Sequence, residues 1–406
     1  MLLIMGTEVK TIYVALSGGF GPLAQVLPTL EQLKKDNHKI ICSSTSKAGS
    51  NMLKTLGYDV IEFPILELPK NIIPKGPNWW NLDFYWGKQG YFEYDYVKQL
   101  VSLRTSIIKD INPDLIITMF NPPASIAAKI LDIPLVSFTQ SCMHPDGKRV
   151  QWWEEPDFEY SKASTAVNEV LNDYGKQPIN IMEDLNKGDL TIISSFPEFD
   201  PVTDQATIYI GPSQWDANGR NNNYLNASYR QKDKPLIYAY TGHMYDTSGP
   251  SGLTILENVL HAFQDTEYDV IISTGADQIL DNVPKTSSNI TITDWVPTTQ
   301  LAKECSLMVH HGGHGSCMLG LVHGIPSVVT PTFSEREFNA RQLEEINAGT
   351  FITPDNLTPS YLLEVVNESL NNNQLISNAK RWSEELQNRA YGGPLKAKEH
   401  IMKLIY

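Results

Sequence analysis

The chain is poor in several features that would settle its class at once. It has four cysteines in 406 residues, Cys42, Cys142, Cys305 and Cys317. Their spacing fits neither a disulfide framework nor a zinc set, and they read as reduced thiols of a cytoplasmic protein. No apolar run approaches the ~18 residues of a membrane span. The opening "MLLIMGTEVK" is too short in apolar residues, and lacks the basic lead, for a signal peptide. Docking on a membrane surface stays open. Positive charge is scarce, with 32 Lys and Arg against 46 Asp and Glu and a formal charge of -14. Such a surface repels a phosphate polymer, and no local basic patch offsets it, so nucleic acid is not an expected partner. A nucleotide-sized ligand is still allowed, because a few N–H groups and histidines can hold two phosphates. There is no nucleophile-elbow motif. The segment "SGGFGP" gives only part of a dinucleotide-binding G-x-G-x-x-G, and Ser43-Ser44-Thr45 stand where its acidic residue belongs.

What is present is alternation. The length suggests two domains. Short apolar runs at Thr11–Leu16, Lys39–Ser43, Asp114–Phe120, Pro134–Phe138 and Asp189–Ser194 read as buried parallel strands. Between them lie amphipathic segments such as Leu23–Lys35. The polar, Asn-rich stretch Asp216–Asp233 reads as a linker. A second series follows at Pro235–Tyr240, Asp269–Thr274, Ile290–Thr293, Ser306–His310 and Pro326–Thr330. The expectation is an α/β protein of two doubly wound halves, 1–215 and 216–384, facing across a cleft. Residues 385–406 are expected to return as a helix to the first half.

The densest chemistry lies in "HHGGHGS" (His310–Ser316), between a strand and a predicted helix that begins near His314 or Gly315. A helix start offers free N–H groups and a positive dipole end, and glycines let the backbone come close to a ligand. Together they make a cradle for a diphosphate. The plainer alternative is a tight strand-to-helix turn. Upstream, Trp295 precedes Val296-Pro297, where an indole has room to stack on a planar base. Downstream, Glu335 and Arg336 follow the strand Pro326–Thr330 and suit sugar hydroxyls or phosphate. No carboxylate or cysteine completes a metal set with His310, His311 and His314.

Trp295-Val296-Pro297, His311-Gly312-Gly313-x-Gly-Ser316 and Pro331-x-x-x-Glu335-x-x-x-Asn339-Ala340 together resemble the nucleotide-sugar signature of the UDP-glycosyltransferases with the GT-B fold. The bacterial macrolide and antibiotic glycosyltransferases are the nearest in kind. The segments Ile111–Phe138, Asp189–Pro201, Tyr209–Trp215 and Lys234–His243 follow in the order that family uses, so the resemblance covers most of the chain. It implies GT-B architecture and inverting transfer of a hexose from a UDP- or dTDP-linked sugar, which is a substrate and not a cofactor. It implies that Trp295 stacks on the base and Val296 pairs with it through the backbone. His311 would donate to the diphosphate, with Gly313, Gly315 and Ser316 around it and Thr241 and Gly242 closing over the phosphates. Glu335 would hold sugar or ribose hydroxyls. Glu335-Arg336 stand where the family usually has Asp-Gln, and Thr298 where it often has Gln, which leaves sugar and nucleotide open.

A second departure concerns the base. The family carries a His, or an Asp in some branches, in the loop after the first strand. Here no His, Asp or Glu occurs from Val14 to Leu30, and the equivalent position falls at about Pro22. His144, in "QSCMHPDGKR", is the candidate replacement, against the reading of an ordinary loop histidine. Otherwise the acceptor brings a thiolate, amine or carboxylate that needs no base, or the chain is a non-catalytic homologue that binds or helps. A donor epimerase of the same fold fits less well. The aromatic stretches Asn78–Tyr96 and Val150–Tyr160 suit an apolar or planar acceptor, with Phe20, Trp79, Trp80, Phe84 and Trp86 as its expected contacts. Packing of long loops is the plainer reading of the same residues.

Overall fold

The computed structural model describes residues 8–70, 81–149, 161–213, 215, 234–245, 249–275 and 286–406. The expected linker, Trp79, Trp80 and the Val150–Tyr160 cluster lie outside them. Contacts divide the chain into two units; one runs up to Trp215 and takes back Tyr391–Tyr406, and the other holds Asp216–Ala390.

The first unit is built on seven parallel strands: β1 (Thr11–Leu16), β2 (Lys39–Ser44), β3 (Asp59–Val60), β4 (Leu115–Met119), β5 (Leu135–Thr139), β6 (Leu190–Ile193) and β7 (Ile208–Tyr209). Their order is β3-β2-β1-β4-β5-β6-β7. The central strands are buried on both faces, which is why they read as unbroken apolar runs. Its helices are α1 (Phe20–Lys35), α2 (Lys47–Thr55), α3 (Leu82–Trp86), α4 (Tyr94–Ile111), α5 (Pro122–Leu131) and α6 (Ala163–Asp173). On one face, Leu23, Val26, Leu27, Leu30 and Leu33 of α1 pack with Val14 and Leu16 and with Ala397 and Ile401 of the C-terminal helix. On the other, Ile108 of α4 and Ala124 and Ala127 of α5 pack on Tyr13, Ala15 and Ile116.

The second unit has six parallel strands: β8 (Leu236–Tyr240), β9 (Asp269–Ser273), β10 (Ile290–Thr293), β11 (Leu307–His310), β12 (Ser327–Val329) and β13 (Gly349–Phe351). Their order is β10-β9-β8-β11-β12-β13. Helices α7 (Ser251–Phe263), α8 (Thr298–Ala302), α9 (His314–His323), α10 (Ser334–Glu345), α11 (Pro359–Asn371) and α12 (Asn373–Asn388) belong to it. Val259 and Phe263 of α7 and Leu362 and Val366 of α11 seal one face against Ile237, Ile272 and Val309. The last helix, α13 (Gly393–Met402), belongs to the first unit and packs on α1.

Candidate active site

In the second unit, β11 ends at His310 and α9 starts at His314. Two adjacent histidines take different places. His310 is fully buried, and its Nδ1 accepts the Gly312 N–H at 3.1 Å, tying the turn shut. Burial pushes its pKa down to about 3. The His311 ring lies edge-on to Tyr240, with centroids 5.2 Å apart. A Cβ on Gly242 would stand 2.9 Å from His311 Cδ2, and one on Gly313 would stand 2.7 Å from its Nε2. The two glycines are therefore the walls of a slot for the imidazole. Burial, then the Arg336 charge, then His310 and His243, hold the His311 pKa well below its ordinary value. The ring is neutral, and it would gain a favourable neighbour if an anion arrived.

Gly312, not Gly313, carries the unusual backbone. Its φ is +89°, and a Cβ there would lie 2.8 Å from the Arg336 carbonyl and 2.9 Å from Val329 Cγ1. Only glycine meets both demands at low cost. Gly313 precedes α9 in extended conformation and donates no side-chain cap. Nothing lies within 4 Å of a Cβ built on Gly315, so the first turn of α9 is open at that point. That turn carries no acidic residue, and Ser316 there is part-exposed.

The flanks meet this turn. Glu335 and Arg336 sit in the first turn of α10. Asn339, fully buried, donates from Nδ2 to Glu335 Oε1 at 2.7 Å and to the Gly312 carbonyl at 2.9 Å. It braces the acidic side chain and the glycine turn with one amide. The signature alone assigns Asn339 no task; a Glu and an Asn four apart on one helix face is the signal that carries it. The Arg336 guanidinium stacks 4.1 Å from the Phe333 ring centroid and donates to Thr332 Oγ1. Thr241 is buried, its N–H taking the Ser273 carbonyl at 3.2 Å, and Gly242 has φ +75°. Trp295 and Thr298 are part-exposed, and Val296 is buried against Tyr238 and Leu301.

Residues 257–395 match the family described as "Erythromycin biosynthesis protein CIII-like, C-terminal domain". The chain is 26% identical over 257 residues to the UDP-glucosyltransferase YojK of Bacillus subtilis, covering 62% of this chain and 60% of that relative. It is 24% identical to the NDP-glycosyltransferase YjiC of the same organism, covering 69% and 70%. Among solved structures, the calicheamicin glycosyltransferase CalG4 superimposes with a TM-score of 0.71 at 17% identity, covering 98% of each chain. The chain has the GT-B fold of these glycosyltransferases. The glycosyltransferase VinC, solved in complex with dTDP, shares the fold at a TM-score of 0.67 and 16% identity, over 97% of this chain and 99% of that one. The match to YojK spans less than two thirds of that relative's own length.

In the first unit the corresponding turn follows β1. Ser17-Gly18-Gly19 leads into α1, Gly19 has φ +110°, and no titratable side chain stands in it. The aromatic group is held nearby by charge. Asp83, buried, accepts the Ser164 and Met182 N–H groups at 2.8 and 3.1 Å. Glu183, also buried, accepts from Leu82 N and from Arg149 at 2.7 Å. These two carboxylates fasten α3, so Tyr85 and Trp86 meet Phe120 at centroid distances of 5.5 and 4.9 Å. Phe120 has φ +54°, a strained conformation for an aromatic residue. Asn121 then caps α5 and donates to the Leu16 carbonyl.

Two expectations change here, those for Phe84 and His144. Phe84 is fully buried core and presents no face to a ligand. Phe20 is exposed and tilts over Trp215 at 5.7 Å. His144 does not have the surroundings of a base. It is fully buried, its Nδ1 accepts the Asp146 N–H at 3.0 Å, and burial lowers its pKa to about 4. With Nδ1 accepting, the proton sits on Nε2, which finds no partner. This is the same device as His310 and Gly312. His144, Asp146 and Asp204 have ligand atoms within 4.8 Å of one another, a grouping not expected from the sequence. The Lys187 ammonium lies 2.9 Å from Asp146 and 3.2 Å from Asp204, so these carboxylates already have a cation of the chain's own.

Proposed function

We propose that the chain transfers a hexosyl unit, with inversion, from a UDP- or dTDP-linked sugar to a small apolar or aromatic acceptor. The observation that carries this reading is the buried, neutral His311 seated between Gly242 and Gly313 at the open start of α9, with Arg336 beside it. As the glycosidic bond breaks, negative charge collects on the departing diphosphate. Donors fixed in advance around that charge are worth most where water is excluded. The imidazole N–H, the α9 N–H groups and the guanidinium are such donors. In this reading Trp295 stacks on the base, Val296 pairs with it, Thr298 lies at its edge, and Glu335, braced by Asn339, takes sugar hydroxyls. Thr241, Ser316 and the glycines close on the phosphates. Donor binding is assigned to the second unit and acceptor binding to the first, where Phe20 and Trp86 are the described aromatic contacts.

The reading gives neither the first turn nor His144 the role of base. A general base is worth roughly 10²–10⁴ in rate, so its loss must be met by an acceptor that ionises easily. A helper protein that binds nucleotide sugar without turnover is the second reading, favoured by that same vacant turn. The test is release of UDP from UDP-glucose in the presence of a thiophenol, a phenol or an aliphatic alcohol. Turnover ordered by acceptor acidity supports the enzyme. Tight UDP binding with no turnover on any of the three supports the helper.

A further inference from the structure

The described arginines are not treated alike. Arg149, Arg341, Arg381 and Arg389 each face a carboxylate. Arg104 of α4 is more deeply buried than most charged groups, at 7% exposure, yet among the described residues it meets no carboxylate. Its Nη1 donates to Tyr13 Oη at 2.7 Å and to Ser43 Oγ at 3.2 Å. The Phe63 ring covers its flat face, with the centroid 3.4 Å from Cζ. Its Nε has no partner. Two hydroxyls and a ring orient a guanidinium, but they do not neutralise it, and a buried charge without a counter-charge is costly.

Its place in the fold is telling. Helix α4 leads into β4, so the start of α4 lies at the carboxyl ends of the strands, where open α/β sheets bind ligands. Helical side chains lean toward the start of their helix, which aims Arg104 that way. Tyr91, just before α4, comes next. Burial and then Tyr96 push its phenol up, while the Arg104 charge acts in the opposite sense. Tyr91 in turn meets Trp86 at 5.3 Å, and Trp86 meets Phe120 at 4.9 Å. The aromatic group thus reaches back to Tyr91, which stands just before the helix that carries Arg104.

We propose that Arg104 is the receptor for a carboxylate carried by a planar aromatic acceptor. The proposal rests on the acceptor assignment made above. The carboxylate accepts from the free guanidinium edge, and the ring of the same molecule lies against Tyr91 and Trp86. Tyr13 and Ser43 keep the guanidinium at its post. Specificity then follows from charge: a neutral isostere leaves the buried cation unmatched.

The test is equilibrium binding of 6-hydroxy-2-naphthoate and of its carboxamide, read by calorimetry at pH 8, with UDP titrated into the same preparations. The carboxylate is expected to bind at least about tenfold tighter than the amide, the scale of a charged hydrogen bond. In Arg104→Met the ratio should fall to within about twofold, and Arg104→Lys should restore part of it. Equal affinity of the native protein for the pair, binding of neither, or a preference that survives in Arg104→Met would overturn the proposal. The native pair decides the question even where a variant does not fold. Loss of UDP binding would sink the donor reading instead, and the naphthalene pair would still report on Arg104.

Discussion

Two strand-to-helix turns in this molecule invite comparison. After β11 the turn holds His311, flanked by His310 at the strand's end and His314 at the helix's start, and its glycines are pressed by neighbours. After β1 the turn holds two glycines and no titratable group. At Gly312 an added Cβ meets a carbonyl at 2.8 Å, whereas at Gly19 the nearest atom is 3.9 Å away. Both glycines have positive φ, +89° and +110°. One turn is a packed device whose parts fit each other; the other is open at Gly19, although a Cβ on Gly18 would meet Ser46 and Thr45 at 3.1 Å. Chemistry that depends on fixed donors belongs to the first. On the proposed reading, the second leaves the acceptor to bring its own reactivity.

The sharpest way to break the comparison is to fill both turns. Gly312→Ala should cost about 3 kcal/mol or more, since strain and a backbone clash combine, and should abolish nucleotide binding. Gly19→Ala should cost about 1–2 kcal/mol from strain alone and leave nucleotide affinity unchanged. Thermal unfolding with and without UDP reads both. Equal losses would dissolve the distinction. Next in size, His311→Ala should weaken UDP or dTDP binding about tenfold or more, the scale of one donor to a charged group, with folding retained.

A smaller effect compares the units through their buried histidines. His310 and His144 have folded pKa values lowered to about 3 and about 4 by burial, against an ordinary 6.5. The unfolded chain therefore binds more protons between these limits. Each histidine contributes stability that is fully present above pH 6.5 and lost as pH falls toward its folded value. His310→Gln and His144→Gln should each flatten the loss of denaturation midpoint between pH 6.5 and 4, and the double variant should flatten it further. The smallest expectation is no change: His144→Gln should leave kcat within about twofold of native, where a base would cost roughly a hundredfold or more. Turnover measured across acceptor acidities checks it.

Much of this was legible in the chain. The strands buried on both faces announce themselves as apolar runs, and ten of them lie where the alternation puts them. Strands β3, β7 and β13 did not, because two or three residues make no run; pairing at the sheet edge defines them. The glycine-histidine turn was readable, yet which glycine bears the positive φ was not, since that depends on the Arg336 carbonyl arriving from another helix. The aromatic stretch was readable as a cluster, but Phe84 belongs to the core while Trp86 does not. The carboxylates that sort them, Asp83 and Glu183, have their partners about 80 to 100 residues away. In the sequence His144 stands in a loop as a candidate base; only its burial and its bond to the Asp146 N–H show it closing a turn.

The central claim is that His311 in its glycine slot forms an anion cradle for a nucleoside diphosphate. Calorimetric titration of UDP and dTDP into the native protein and into His311→Ala tests it most directly. Binding of at least one nucleotide to the native protein is expected, much reduced in the variant. Equal affinity of native and variant for the nucleotide, or no binding to either, would contradict it.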